Sequence, residues 1–242
     1  MGSAKNILVK PISGREASQV IKVNHYSGRS VQNSQLHIGV YFNGKLEGAM
    51  QFGPPIDKRK VLHLVRGTKW NQMLELNRMA FSEALPRNSE SRAMAVAFRM
   101  IKKHRPDIKW ILSFADGTQC GDGTIYRASG FVLTGIKKNT TIIELPDGRK
   151  IAKHGRGRQG SGELLSGYMF RYIRFVDASW ADRLTVPTIP FEDIPLHAKM
   201  VRGASIMRQS AEKPSIPAGK RRCNSDPVAP SHEGDHEAQR RN

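Results

Sequence analysis

His25 and Tyr26 stand side by side in His25-Tyr26-Ser27-Gly28, just after a run of helical spacing, so both side chains fall at a helix end where they can face a cleft. Imidazole is a good ligand for iron or zinc, and a phenol can bind ferric iron or pass a proton. Asp116 closes a nearly continuous apolar run, residues 109–115, and Tyr126 follows it on a short helix. A carboxylate at the C-terminal end of a buried strand points into the crevice where open α/β sheets bind ligands. His25, Asp116 and one or both tyrosines therefore make a candidate mixed nitrogen–oxygen metal site, or a set of groups that move protons directly. The plainer readings are a capping histidine, a turn aspartate ahead of Gly117 and a core tyrosine. Arg78 lies between Leu76 and Met79 on a strand expected to be central, and a buried guanidinium is costly unless paired. Glu75 or Asp116 as its partner makes Arg78 structural; a cofactor or DNA phosphate makes it functional. Tyr41 is a further candidate acid or base. Ser91 suits a phosphate or cofactor contact better than a nucleophile's role, since no Ser-His-Asp or Cys-His pairing is evident.

The elements that must position these residues read in order. A strand at 6–12 leads to Ser13, an N-cap with Glu16 three residues on, and a helix to about Asn24 whose apolar side is Ala17, Val20, Ile21 and Val23. Strands at Leu36–Phe42 and 45–52 flank Asn43-Gly44, a two-residue hairpin signal. Residues 57–69 form a basic connection without clear periodicity, and Met73–Phe81 reads as a strand. Ser89 caps a helix over 92–104 that Pro106 ends. A buried strand at 109–115, a glycine-rich loop at 116–123, a short helix at 124–129 and a strand at 131–137 follow. Residues 141–145 and 149–152 suggest a small hairpin, 155–162 a glycine- and arginine-rich loop, and 168–176 the last strand. The pattern is a mixed α/β (α+β) domain over residues 1–202, with helices packed on a largely antiparallel sheet. Residues 203–242 read as a disordered polar tail.

Composition narrows the function. The 242 residues contain 39 Lys and Arg against 21 Asp and Glu, a formal charge of +18, with a pI near 10.3. Such a charge favours polyanions, nucleic acid first. The tail is not its source, since residues 203–242 carry 7 basic and 5 acidic residues. Two cysteines, Cys120 and Cys223, exclude a disulfide framework and a cysteine-built zinc site. No apolar run approaches a membrane span or a signal sequence, so the expected compartment is the cytoplasm and no membrane partner is expected. Lys137, Lys138, Arg149, Lys150, Lys153, Arg156 and Arg158 form a basic stretch able to follow a phosphate backbone, and Lys58, Arg59 and Lys60 a second. Trp70 and Tyr126 are candidate aromatic clamps for an unstacked base.

The order of elements is similar to the GNAT acyltransferase fold, in which the cofactor's pyrophosphate sits at the N-terminus of the helix after the fourth strand. The matching stretch is Arg87-Asn88-Ser89-Glu90-Ser91-Arg92, which lacks the usual glycines. A narrower resemblance rests on five motifs in order: His25-Tyr26-Ser27-Gly28; Glu75-Leu76-Asn77-Arg78; Asn88-Ser89-Glu90-Ser91-Arg92; Ser113-Phe114-Ala115-Asp116; and Gly123-Thr124-Ile125-Tyr126-Arg127-Ala128-Ser129-Gly130-Phe131. Together they resemble the phage Mom family of DNA adenine-modification proteins, over about residues 7–202. The resemblance implies an enzyme that adds a carbamoylmethyl (acetamido-type) group to the exocyclic amine of adenine in double-stranded DNA, shielding phage DNA from host restriction inside a bacterial cell. It also implies bound iron, with His25, Tyr26, Asp116 and Tyr126 as site residues. A link to acetyl-coenzyme A is implied as well, with Arg78, Asn88, Ser89, Ser91 and Arg92 as donor contacts. Two rival readings are an ordinary acetyltransferase acting on a protein or small amine, and a nucleic-acid-binding protein without catalysis.

Overall fold

The structure is a computed structural model and describes residues 3–118, 121–148, 150–152 and 162–194, which lie in one compact unit, Met1–Val201. The first strand, β1 (Leu8–Pro11), is shorter than its sequence suggests, because Ala4–Asn6 forms a 3-10 turn. Ser13 then caps α1 (Gly14–Asn24) with both halves of a capping box. Its Oγ accepts from the Glu16 N–H at 3.2 Å, and its own N–H donates to Glu16 Oε2 at 2.8 Å. Ala17, Val20 and Ile21 turn inward, whereas Val23, expected with them, is exposed. Strands β2 (Leu36–Phe42) and β3 (Lys45–Gly53) meet at Asn43-Gly44, both with positive φ, as the tight hairpin turn requires. The basic connection holds one helical turn, α2 (Arg59–Leu62), before β4 (Met73–Phe81).

Helix α3 (Ser89–His104) starts three residues earlier than its periodicity predicts. Asn88 takes the left-handed conformation, φ 67°, so Ser89 is the first helical residue and not the cap. After β5 (Trp110–Asp116) and α4 (Thr124–Ala128) comes β6 (Val132–Glu144), which fuses the predicted strand with the first arm of the predicted hairpin. Strand β7 (Lys150–Ala152) supplies the second arm, and β8 (Glu163–Phe175) begins five residues earlier than expected. The loop at 155–161 and the tail at 203–242 lie outside the described residues.

The eight strands form one sheet in the order β1-β2-β3-β4-β5-β8-β6-β7. Neighbours run antiparallel except β4 and β5, which α3 joins as a parallel crossover. Alternation along the strands divides the side chains. On one face Ile38, Val40, Met50, Phe52, Leu74, Leu76, Ile111, Ala115, Phe170 and Tyr172 pack against Ala93, Met94, Ala97, Phe98 and Ile101 of α3. The other face has two separate covers. Ala49 and Ala80 lie under Ala17, Val20 and Ile21 of α1, while Met73, Trp110, Leu112 and Ile173 lie under Leu64, Val65 and Trp180.

Candidate active site at the parted strands

Strands β4 and β5 pair over three residues: Met73 with Trp110, Leu74 with Ile111, and Glu75 with Leu112. Beyond Glu75, β4 continues with β3 to Phe81, and β5 continues with β8 to Asp116. The two arms part inside the sheet, and each presents unshared backbone groups to the gap. A bulge marks the fork. Gln51 faces Arg78 and Phe52 faces Leu76, which leaves Asn77 as the extra residue of β4. Asn77 is held from outside the strand, accepting from Ser34 Oγ at 3.2 Å and donating to the Pro54 carbonyl at 3.4 Å. Glu75 sits at the root of the fork, and burial pushes its carboxyl up to about 7 against opposing contributions from the Asn77 amide and Arg78. The sequence treats Glu75 only as a possible partner of Arg78; the available signal is one acid among the apolar residues of β4.

Arg78 departs from its expected pairing. It is half-buried, and its guanidinium is held by carbonyls: Nη1 donates to Asn77 O at 2.6 Å and Nε to Arg29 O at 3.3 Å. Its hydrogen-bond partners are thus backbone carbonyls, with Glu75 within electrostatic reach and no ion pair to Asp116 among the described residues. His25, the residue after α1, lies within electrostatic reach of Arg78, and its ring stacks on that of Tyr26 at 4.2 Å between centroids. Burial, then Arg78, lowers the imidazole to about 4, so it is neutral near pH 7. His25 Nδ1 accepts from the Ser27 N–H at 3.1 Å and lies 2.8 Å from Ser27 Oγ. A neutral ring that accepts at Nδ1 carries its proton on Nε2 and presents a donor there.

Asp116, at the end of the other arm, organises a second cluster. Its Oδ1 accepts from the Thr118 N–H at 3.0 Å, Thr118 Oγ1 at 2.7 Å and Asn139 Nδ2 at 3.2 Å, while Lys150 Nζ donates to Thr118 O at 2.9 Å. Tyr126 belongs to the α3 face, where its ring packs against Phe131 at 5.2 Å and Tyr172 at 5.3 Å. Tyr172 in turn donates to the Asp122 carbonyl, and Asp122 Oδ1 caps α4 through Thr124. Tyr41 is placed apart from these groups, on β2 and two strands from β4, with Lys10 Nζ 4.4 Å from its ring centroid.

The start of α3 suits an anion. The amides of Glu90 and Ser91 are first-turn donors that the helix cannot satisfy, no side chain caps them, and the end is positive. Ser91 Oγ donates to Asn88 O at 3.2 Å, and Arg92 is exposed beside it. Ser89 is fully buried, and among the described residues its hydroxyl has no hydrogen-bond partner. The same is true of Ser113, the first residue of β5 beyond the last β4 pair, on the α3 face. Two orphaned hydroxyls, one at the helix start and one at the fork, fit a phosphate-bearing donor laid along this face. Sequence reasoning named Ser113 only within the motif Ser113-Phe114-Ala115-Asp116 and gave it no site role, because a serine within a strand carries no signal of its own until the fork is known.

Residues 6–193 match the profile of the Mom protein family. The chain belongs to that family. Among Mom relatives it is 31% identical over 205 residues to the methylcarbamoylase mom of Escherichia phage Mu, covering 79% of this chain and 85% of that protein. Solved structures similar to this Mom-family chain include the ribosomal-protein-S18-alanine N-acetyltransferase of Escherichia coli. It is 11% identical with a TM-score of 0.46, covering 71% of this chain and 94% of that one. An N-acetyltransferase of Staphylococcus aureus is 10% identical with a TM-score of 0.42, covering 70% and 97%. The fold class rests on the strands and helices themselves, not on these likenesses.

The resemblance to the Mom family implies iron at His25, Tyr26, Asp116 and Tyr126, but the geometry does not assemble them as one ligand set. His25 and Tyr26 follow α1 on one face of the sheet, and Tyr126 packs on the other. The His25 nitrogen that accepts from Ser27 is already engaged. Among the described residues no three His, Cys, Asp or Glu side chains gather as a metal centre needs.

The basic residues predicted for this Mom-family chain divide likewise. Lys58 is buried, with Nζ 5.0 Å from the ring centroid of exposed Trp70, so it is not the surface cation expected. Arg59 and Lys60 are exposed but share Asp57, at 4.0 and 3.2 Å. Lys137 and Lys138 are exposed on β6, and Lys150 is tied to Thr118. Arg149, Lys153, Arg156 and Arg158 lie outside the described residues. Among the described residues no helix is long and apolar enough to cross a membrane.

Proposed function

We propose that this chain is a transferase that adds a carbamoylmethyl group to the exocyclic amine of adenine in double-stranded DNA. It would act within a phage-bearing bacterial cell and shield phage DNA from restriction. The observation that carries this reading is the relation to the phage Mu methylcarbamoylase over 79% of the chain. Arg78 and Ser113 flanking the parted strands, with His25 near Arg78 on one face and Tyr126 on the other, support it. A donor of the acetyl-coenzyme A class would lie on the α3 face, its phosphates at the first turn of α3 with Asn88, Ser89, Ser91 and Arg92, its reactive end near Ser113. Such a donor would have to carry the carbamoylmethyl unit already attached to a leaving group, so that the bond from its methylene to adenine N6 forms as the bond from that methylene to the leaving group breaks. Acetyl-coenzyme A by itself lacks both the amide nitrogen and a leaving group on its methyl carbon.

The chain's own residues do the rest. Arg78, positive and fixed by two carbonyls, holds an anionic group of donor or DNA at the fork. His25, neutral with its proton on Nε2, would donate to the amide oxygen of the transferred group and orient its methylene toward the adenine amine. Glu75 takes the proton that the adenine amine must lose, and Tyr126 offers one to the leaving group. Asp116 holds Thr118 and Asn139 at the end of β5. The arrangement gives iron no step. The test is nucleoside mass spectrometry on plasmid DNA from cells expressing the protein, beside Tyr126→Phe and His25→Ala. A heavier deoxyadenosine that disappears in the variants is the expected result. Unmodified adenine from the soluble wild-type chain overturns the reading, and acyl transfer to a protein or amine without DNA replaces it.

A further inference from the structure

Of the motif Ser113-Phe114-Ala115-Asp116, the site described above uses Ser113 and Asp116 and leaves Phe114 without a role. β5 is an interior strand, between β4 and β8 in an eight-stranded sheet, and its large apolar side chains are expected under cover. Its neighbours obey that rule. Ser113 and Ala115 are buried on the α3 face, and Leu112, one step back on Phe114's own face, lies at 0% beneath the cover of Leu64, Val65 and Trp180. Phe114 is 38% exposed. The cover ends between Leu112 and Phe114, the cover made by α1 lies over β3 and β4, and the ring is left open between them. A large apolar ring left in water forgoes the stabilisation that burial brings, so an uncovered ring at the centre of a sheet is a platform awaiting something flat and apolar.

The surroundings state what kind. Phe114 pairs with Arg171 of β8 and shares its face. That guanidinium is fixed: Nε donates to Thr134 Oγ1 at 3.1 Å and Nη2 to Thr134 O at 2.7 Å, and it lies over Gly135, where a Cβ would stand 3.2 Å away. The next row on this face runs Asp116, Met169 and exposed Lys137. Arg78 lies on the same face across the fork, opposite Gln51. A flat ring bordered by the fixed Arg171 and the exposed Lys137 fits a planar base carried on a phosphate backbone. Alternation along β5 adds a division of labour, with Ser113 toward the donor side and Phe114 toward the side open to DNA.

We propose that Phe114 is the stacking platform for the adenine rotated out of the duplex, with Arg171 fixing the edge of that platform and Lys137 meeting the neighbouring phosphates. This rests on the reading of the chain as a DNA-adenine-modifying transferase and names the residue that receives the base. The full-length protein is compared with Phe114→Ala, Phe114→Leu and Phe114→Trp. Modified deoxyadenosine in plasmid DNA is measured alongside photocross-linking to a duplex carrying 8-azidoadenine, with peptide mapping of the adduct. Loss of one base–ring stack lowers the modified fraction by about tenfold or more in the alanine and leucine variants. The tryptophan variant retains activity, and affinity for plain duplex stays as in the wild type. The wild-type adduct falls on the peptide containing Phe114. Wild-type levels of modification in Phe114→Leu, or an adduct mapping elsewhere, overturn the platform and leave the proposed function standing. An adduct at Phe114 without any modified adenine supports the platform and overturns the proposed reaction instead.

Discussion

Glu75 is the last residue of β4 that still pairs with β5, and its chemistry follows from that position. Burial raises the folded-state carboxyl to about 7, whereas in the unfolded chain it ionises near 4.5. The sign is fixed by linkage: the protonated form is favoured in the fold, so its contribution is present below pH 4.5 and is lost as pH rises through 7. Wild-type protein should therefore lose stability between about pH 5 and 8, and Glu75→Gln should lose less, as read from denaturant midpoints at each pH. An equal slope in both would remove Glu75 as the titrating group. At this scale the sequence was informative where a residue type is unusual in its setting, as with His25-Tyr26 after a helix or Arg78 in a strand. It assigned Ser113 and Phe114 no role of their own, naming them only within the motif Ser113-Phe114-Ala115-Asp116, because a serine or phenylalanine in an apolar run is ordinary until the parting of β4 from β5 is known.

The elements were legible wherever a local rule dictates them. The Ser13–Glu16 capping box, the Asn43-Gly44 turn and the span of β4 follow from residues within a few positions of one another. The start of α3 and the lengths of β6 and β8 did not, because they depend on the left-handed Asn88 and on partners far along the chain. Gly53 shows how tightly the elements set the bulge. A Cβ there would stand 2.8 Å from Asn77 Oδ1, 2.8 Å from Ser34 Cα and 2.9 Å from the Asn33 carbonyl. Two of those neighbours are backbone and cannot swing away. Gly53→Ala should cost about 1–3 kcal/mol of stability, the usual penalty of overpacking, measured by chemical denaturation. It should also lower modification further than stability alone explains, because Asn77 and Arg78 move with the bulge.

The whole molecule is a strongly basic body, at +18. Duplex binding should weaken steeply with salt, because each phosphate neutralised releases counterions with a log–log slope of about −0.9. Reversing Lys137 and Lys138 to glutamate, both exposed on β6, should flatten that slope by about 2 in salt-titrated binding isotherms if each meets one phosphate. Stability should change little, since neither side chain supports the core. An unchanged slope would move the DNA path to another face. Charge and composition were readable at once, yet they could not say which cations face outward, and Lys58 is the case in point.

The shortness of the β4–β5 seam has a further consequence. Three residue pairs stitch two four-stranded halves into one sheet, with α3 lying across one side. Within the halves, β2–β3, β3–β4, β5–β8 and β6–β8 are laced over longer registers. Amide protons in β2–β3 and in β8–β6 should then exchange as two cooperative blocks with separate opening free energies, and those along the seam should be the first to lose protection. A sheet built this way can adjust the spacing of its halves at little energetic expense, and turnover in such a protein is open to pacing by that breathing as well as by bond-making.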